Sequence, residues 1–157
     1  MAFLSALNIS ASGMTAERMR LDVASENIAN HNTTRTEDGG PYARKMVVFE
    51  PVKERSFQEI LNGAAQSVRG ANGQRAASIG AAGGVRVAEI IEDERDFKPV
   101  YDPLHPDANE DGYVMMPNVD LVKETIDAMS ASRAYDANVT AFNAVKAMAT
   151  KALEIGK

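Results

Sequence analysis

The chain has no cysteine and no tryptophan in 157 residues, and aromatic side chains make up only 6%. Without thiols, disulfides, iron–sulfur clusters and cysteine nucleophiles are excluded. With so few large rings, a hydrophobic content of 45%, much of it alanine, cannot fill a large compact interior. No basic stretch stands out and the formal net charge is -5, so nucleic acid, whose phosphates require a basic face, is not an expected partner. No apolar run approaches the roughly 18 residues of a membrane span. The opening MAFLSALNISASGM also lacks the basic and unbroken apolar regions of a cleaved secretory signal. The glycines near 70 to 84 lack the lysine and hydroxyl of a phosphate loop, and there is no G-x-S-x-G elbow.

The strongest patterning lies at the two ends. From Phe3 to about Ala29, Leu4, Leu7, Ala11, Met14, Leu21 and Ile28 recur at spacings of three and four once Arg18 and Ser25 are admitted to the row. That is a heptad seam with polar interruptions. It ends in Asn27, Asn30, Asn32 and Thr33, amides and a hydroxyl that suit a helix end and can equally donate to a neighbouring subunit. A second helical pattern runs from Val119 to Ile155, with Asn118 as its expected N-cap, Asp120 in its first turn and Gly156 closing it. Its apolar residues form two offset stripes: Val122, Ile126 and Met129 first, then Tyr135, Val139, Phe142, Ala149 and Leu153. One intramolecular partner covers one stripe, so other chains are expected to bury the rest, with Arg133, Asn138 and Met148 in the same expected interface.

The centre is softer. Val47, Val48 and Phe49 suggest a short strand ending before Pro51, and VRVAEIIED a second strand. SFQEILNG suggests a turn of helix, and the Gly/Ala-rich residues 63–84 a flexible loop. The expected fold is mainly α, with long terminal helices paired in a coiled-coil-like core domain and a small extended or β middle region. The divisions fall at 1–30, 31–117 and 118–157.

Candidate chemistry is sparse. DANEDG, residues 107–112, opens like a calcium loop, but Asn118 stands where a bidentate Glu is needed, and Pro103 and Pro106 forbid the entering helix. A polar turn held by Asx bonds is the simpler reading. His31 and His105 lack metal-ligand spacing, and EDERD, residues 92–96, reads as a solvated charge run. Two classes compete. One is a structural subunit whose terminal helices pair with each other and with neighbours. The other is a small metal-dependent enzyme or calcium-binding protein using the loop from Asp102 to Asp111. The patterned ends and soft centre favour the first, with no cofactor, metal or small-molecule substrate.

LDVASENIANHNTTRT resembles the N-I-A-N-x-N-T signature of the bacterial flagellar axial proteins, the rod, hook and hook-associated family. DGGPYARKMVVFE, YDPLHPDANEDGYVMMPNVD and SASRAYDANVTAFNAVKAMATKALEIG are similar, more narrowly, to its proximal-rod members. Ser25-Glu26 and the length of the Gly/Ala-rich stretch depart from that pattern. The resemblance implies a non-enzymatic subunit of the basal-body rod in the periplasm, exported unfolded without a cleaved signal and transmitting torque. Its implied partners are copies of itself, other rod proteins, the adaptor at the membrane-embedded ring and the flagellar export apparatus. The terminal helices would pair around a central channel.

Overall fold

The computed structural model describes residues 2–37, 39–53 and 82–155. Among these residues two long helices, α1 (Ala2–Ala29) and α2 (Leu121–Ile155), flank four strands, β1 (Lys45–Lys53), β2 (Ala82–Glu92), β3 (Lys98–Tyr101) and β4 (Tyr113–Met116). The strands pair as two separate antiparallel two-stranded sheets, β1 with β2 and β3 with β4. Helix therefore holds the ends, while the middle carries more strand than a mainly α fold implies. The expected helical turn at SFQEILNG, most of the Gly/Ala-rich loop and Gly156 lie outside the described residues.

Neither helix contains proline, and each end has an identifiable cause. At the end of α1, the Asn30 side chain donates to Glu26 O at 3.0 Å and His31 Nδ1 bonds Ile28 O at 2.9 Å, so the last carbonyls find partners. The amide-rich corner is thus, at Asn30, an internal cap. At the start of α2, Asp120 and not Asn118 is the N-cap: its Oδ1 accepts from the amides of Val122 at 3.1 Å and Lys123 at 3.4 Å. Those amides hold the Asp120 carboxyl below its ordinary pKa. Asn118 is instead drawn inside by longer-range bonds.

β1 does not stop before Pro51 but continues to Lys53. In a two-stranded sheet every strand is an edge, so a residue without an N–H is tolerated on the open side. The β1–β2 register shifts between Val48 and Phe49 and again between Pro51 and Lys53. The second irregularity contains Gly83 and Gly84, so the end of the expected loop is strand. Gly84 has φ +116°, and a Cβ there would overlap Ser12 Oγ on α1. That hydroxyl accepts from Val85 N at 3.2 Å and donates to Ile9 O at 2.8 Å, pinning the hairpin to the helix.

The helices run antiparallel, since Asn27 meets Glu124, Arg20 meets Asp127 and Gly13 meets Asn138. The face α1 turns inward carries Ser10, Gly13, Ala16, Arg20, Val23, Ala24 and Asn27, about one residue round from the expected heptad row. Small residues win that position because they let the backbones approach: a Cβ at Gly13 would stand 2.9 Å from both polar atoms of the Asn138 amide. Leu7, Met14, Leu21 and Ile28 flank the seam half-buried, while Leu4 is exposed.

Candidate subunit interface

The interior is unusual in chemistry: the largest fully buried side chains are Glu124, Asn27 and Pro117. A buried carboxylate must be paired and hydrogen-bonded. Glu124 Oε1 accepts from Arg44 Nε at 2.6 Å and Oε2 from Asn27 Nδ2 at 2.8 Å. Asn27 also donates to Lys45 O at 2.9 Å, and its Oδ1 accepts from Lys45 N and from the Tyr42 hydroxyl, both at 2.9 Å. Every polar capacity of that amide is used inside the chain, so Asn27, expected at a subunit interface, is an internal joint.

Arg44 is the second centre. Besides Glu124 it lies 3.6 Å from Asp93 and 3.6 Å from Asp127, and Asp127 is also held by Arg20 at 3.1 Å. Asn118 closes the ring, accepting from Arg44 N at 2.8 Å and donating to Asp93 O and Arg95 O at 3.0 Å each. One polar hub thereby joins α1, the entry to β1, the exit from β2 and the start of α2. Burial, followed by the nearby carboxylates of Glu26, Glu124 and Glu92, pushes the Tyr42 hydroxyl up to about 12. The Arg95 hydrogen bonds bring the Asp93 carboxyl down to about 2, opposing its burial. EDERD is accordingly no uniform solvated run, because the Asp93 side chain is only 8% exposed and bridges two arginines.

Because acids and bases turn inward here, the apolar residues are left outside. Val122 is 68% exposed, Ile126 60% and Met129 51%. At 100° per residue they lie opposite Glu124, Asp127 and Ala131, so the first half of α2 is amphipathic with its polar face in. In a solvated monomer this inversion has no energetic rationale. The second expected stripe is split: Val139, Phe142 and Ala149 are half-buried on the side facing α1, Tyr135 is more exposed, and Leu153 is exposed. Met148 and Arg133 are also exposed, and Asn138 is half-buried against Gly13. Asn32 is exposed at the corner, and Thr33 is half-buried with its hydroxyl on Asn30 at 3.1 Å.

The expected residues therefore divide into an outward set and an inward one, and sequence reasoning passed over Arg44, Tyr42, Asp93 and Glu124. The loop from Asp102 to Asp111 is the turn of the β3–β4 hairpin. Asn109 Oδ1 accepts from the amides of Asp111 at 3.1 Å and Tyr113 at 2.8 Å, and Asp107 from Thr34 Oγ1 at 2.9 Å. Among the described residues, no cluster of three or more His, Asp or Glu is disposed to hold a metal ion.

Comparison with known proteins bears on this geometry. Residues 7–35 match the family model described as flagella basal body rod protein, and residues 110–155 match flagellar basal body rod FlgEFG protein C-terminal. The chain is similar to three proteins named flagellar basal-body rod protein FlgC. The Bacillus subtilis (strain 168) protein is 50% identical, with 96% of each chain covered. That of Borreliella burgdorferi is 42% identical, covering 99% of this chain and 98% of its own. The Escherichia coli O6:H1 protein is 41% identical over the whole of both.

Proposed function

This chain belongs to the FlgC family of flagellar basal-body rod proteins, and on that premise we propose that it builds the rod by burying the outward faces of its two terminal helices against neighbouring subunits. It is a structural subunit of the basal-body rod and not an enzyme. The observation that carries the proposal is the inverted face of α2. Val122, Ile126 and Met129 stand in water while Glu124 is buried at 2% exposure, an arrangement that becomes favourable only when another surface covers the apolar side. Each side chain so covered contributes about 1.5 to 3 kcal/mol.

Subunits joined this way form the proximal rod, transmit torque through the paired helices and line a central channel. The partners are copies of this chain, other rod proteins and the adaptor at the membrane-embedded ring. The export apparatus delivers the chain unfolded. The polar hub supports this reading because it fixes both helices and the β1–β2 hairpin in one orientation before any neighbour arrives.

The test replaces Val122 and Ile126 with Asp in the chain's own gene. The monomer should fold with an unchanged thermal midpoint, since neither side chain is buried in it, while cells lose motility and isolated basal bodies lack the chain. Normal rods and full swimming would refute the interface.

A further inference from the structure

The most exposed large apolar side chain on the described surface is Leu104, at 94%. It is no floppy loop residue. Leu104 N donates to Asp102 Oδ1 at 3.2 Å, His105 N to Asp102 O at 3.3 Å, and Asp102 N to Gly112 O at 3.0 Å, while Pro103 and Pro106 stiffen either side. A preorganised apolar knob loses little conformational freedom when it binds, so its burial translates into affinity more fully than that of a flexible chain. The segment is also acidic: Asp102, Asp107, Glu110 and Asp111 share the hairpin turn with Leu104, with no Lys or Arg between Lys98 and Lys123. Arg35, 3.9 Å from Asp107, answers one of these carboxylates.

A surface of complementary character exists on α2. Its outward stripe Val122, Ile126, Met129 continues at the next position of the same face to Arg133, which makes no ion pair or side-chain hydrogen bond among the described residues. Apolar ground bordered by Arg133, which has no partner among the described residues although the exposed Asp136 stands one turn further on, suits an apolar knob on an acidic turn. The other exposed apolar groups fit less well. Phe3, Leu4 and Ile9 lie in a half of α1 that carries no charge, so they would leave Arg133 unanswered. Ile90 and Ile91 on β2 stand beside Glu92, but Lys45 lies directly opposite that residue.

Resting on the rod-subunit reading, we propose that Leu104 of one copy seats between Ile126 and Met129 on α2 of a second copy, with the knob's carboxylates facing Arg133. The contact is head-to-tail: each copy has one knob and one seat, so it propagates from subunit to subunit instead of closing on a pair.

The absence of native cysteine gives a clean test. Cells carry Leu104→Cys with Met129→Cys as their only form of the chain, and basal bodies are oxidised and resolved by mass. A ladder of covalent dimers and higher multiples is expected, with neither single variant cross-linking. Adding Arg133→Glu should cut the cross-linked fraction about tenfold, as like charges meet at the rim. A dimer from Met129→Cys alone, a product with a different rod protein, or no product from basal bodies that contain the chain would each overturn the contact. If the double variant does not incorporate, co-expression of the two single variants should give one covalent dimer, and its absence is equally decisive. Basal bodies lacking even the unmodified chain would defeat the rod-subunit reading instead.

Discussion

The two ends of the helix pair are held by different physics. At the hub end, α1 and α2 meet through polar pairs: Asn27 on the buried Glu124, Arg20 on the partly exposed Asp127, and Arg44 reaching both acids from the entry to β1. At the far end the seam is small residues and a few half-buried apolar side chains, Phe142 among them. The pairings of Asn27 with Glu124 and Gly13 with Asn138 set a register that brings Ala2 level with about Ala149, so the last turns of α2 overhang with no α1 beside them. Charged networks are directional and poor at tolerating displacement, whereas an apolar seam can slide and exchange partners. The hub end is therefore a fixed joint within one chain on its inner face, and we propose that the overhanging end of α2, like the outward face around Ile126, is left for the assembly.

The largest test of this contrast removes the buried carboxylate. Glu124→Ala leaves Arg44 and the Asn27 amide without their best partner and should cost about 3 to 5 kcal/mol in urea denaturation. Truncating Arg44 in the same background should recover part of that loss, because the uncompensated charge goes with it. A loss below about 1 kcal/mol would mean that the hub is ornamental and the contrast mistaken.

A smaller effect is expected where the hairpin meets the far half of α1. Gly84→Ala places a side chain in a positive-φ conformation and against Ser12, at a cost of about 1 to 3 kcal/mol. The loss should be local: hydrogen exchange should rise in residues 82–87 and stay slow at the amides of 124–131. Equal acceleration in both regions would show the hairpin and hub to be one cooperative unit.

Acid probes the hub by itself. The Asp93 carboxyl, ordinarily near 3.8, is lowered to about 2, so its contribution is complete above about pH 4 and is lost as pH falls toward 2. Asp93→Asn should flatten that limb of the stability profile while the part due to Asp120, which is also lowered, remains. On the alkaline side the sign reverses. Tyr42 is raised to about 12, so its contribution holds below pH 10 and is lost between 10 and 12. An acid limb unchanged in Asp93→Asn would remove Asp93 from the hub.

The two ends also differ in how readable they were. Both helices were evident because nothing breaks their periodicity, and VRVAEIIED announced a strand by its alternation. The seam was misplaced by one residue because Gly13, Ala16 and Ser10 carry no apolar signal, although close packing selects them. The hub was invisible for a different reason. Arg44 and Glu124 lie far apart in the chain, and an acid opposite an apolar stripe reads as the solvated face. Only the fold turns that face inward. The course of β1 beyond Pro51 depended on its being an edge, which no local sequence states.

The smallest effect on the isolated chain is expected at the overhang. Leu153 is exposed in α2 beyond the reach of α1, so Leu153→Ser should change stability by no more than about 0.5 kcal/mol, the range of ordinary surface substitutions. If the far end is left for the assembly, the same change should lower the amount of chain recovered in basal bodies, since it places a hydroxyl where a neighbour would bury an aliphatic side chain. Urea midpoints and quantitative blotting of purified basal bodies separate the two readouts. A stability loss above about 1 kcal/mol would mean that Leu153 packs within its own chain. Unchanged stability with unchanged incorporation would mean that this end stays in solvent inside the rod, and the interface would then contract to the outward face around Ile126.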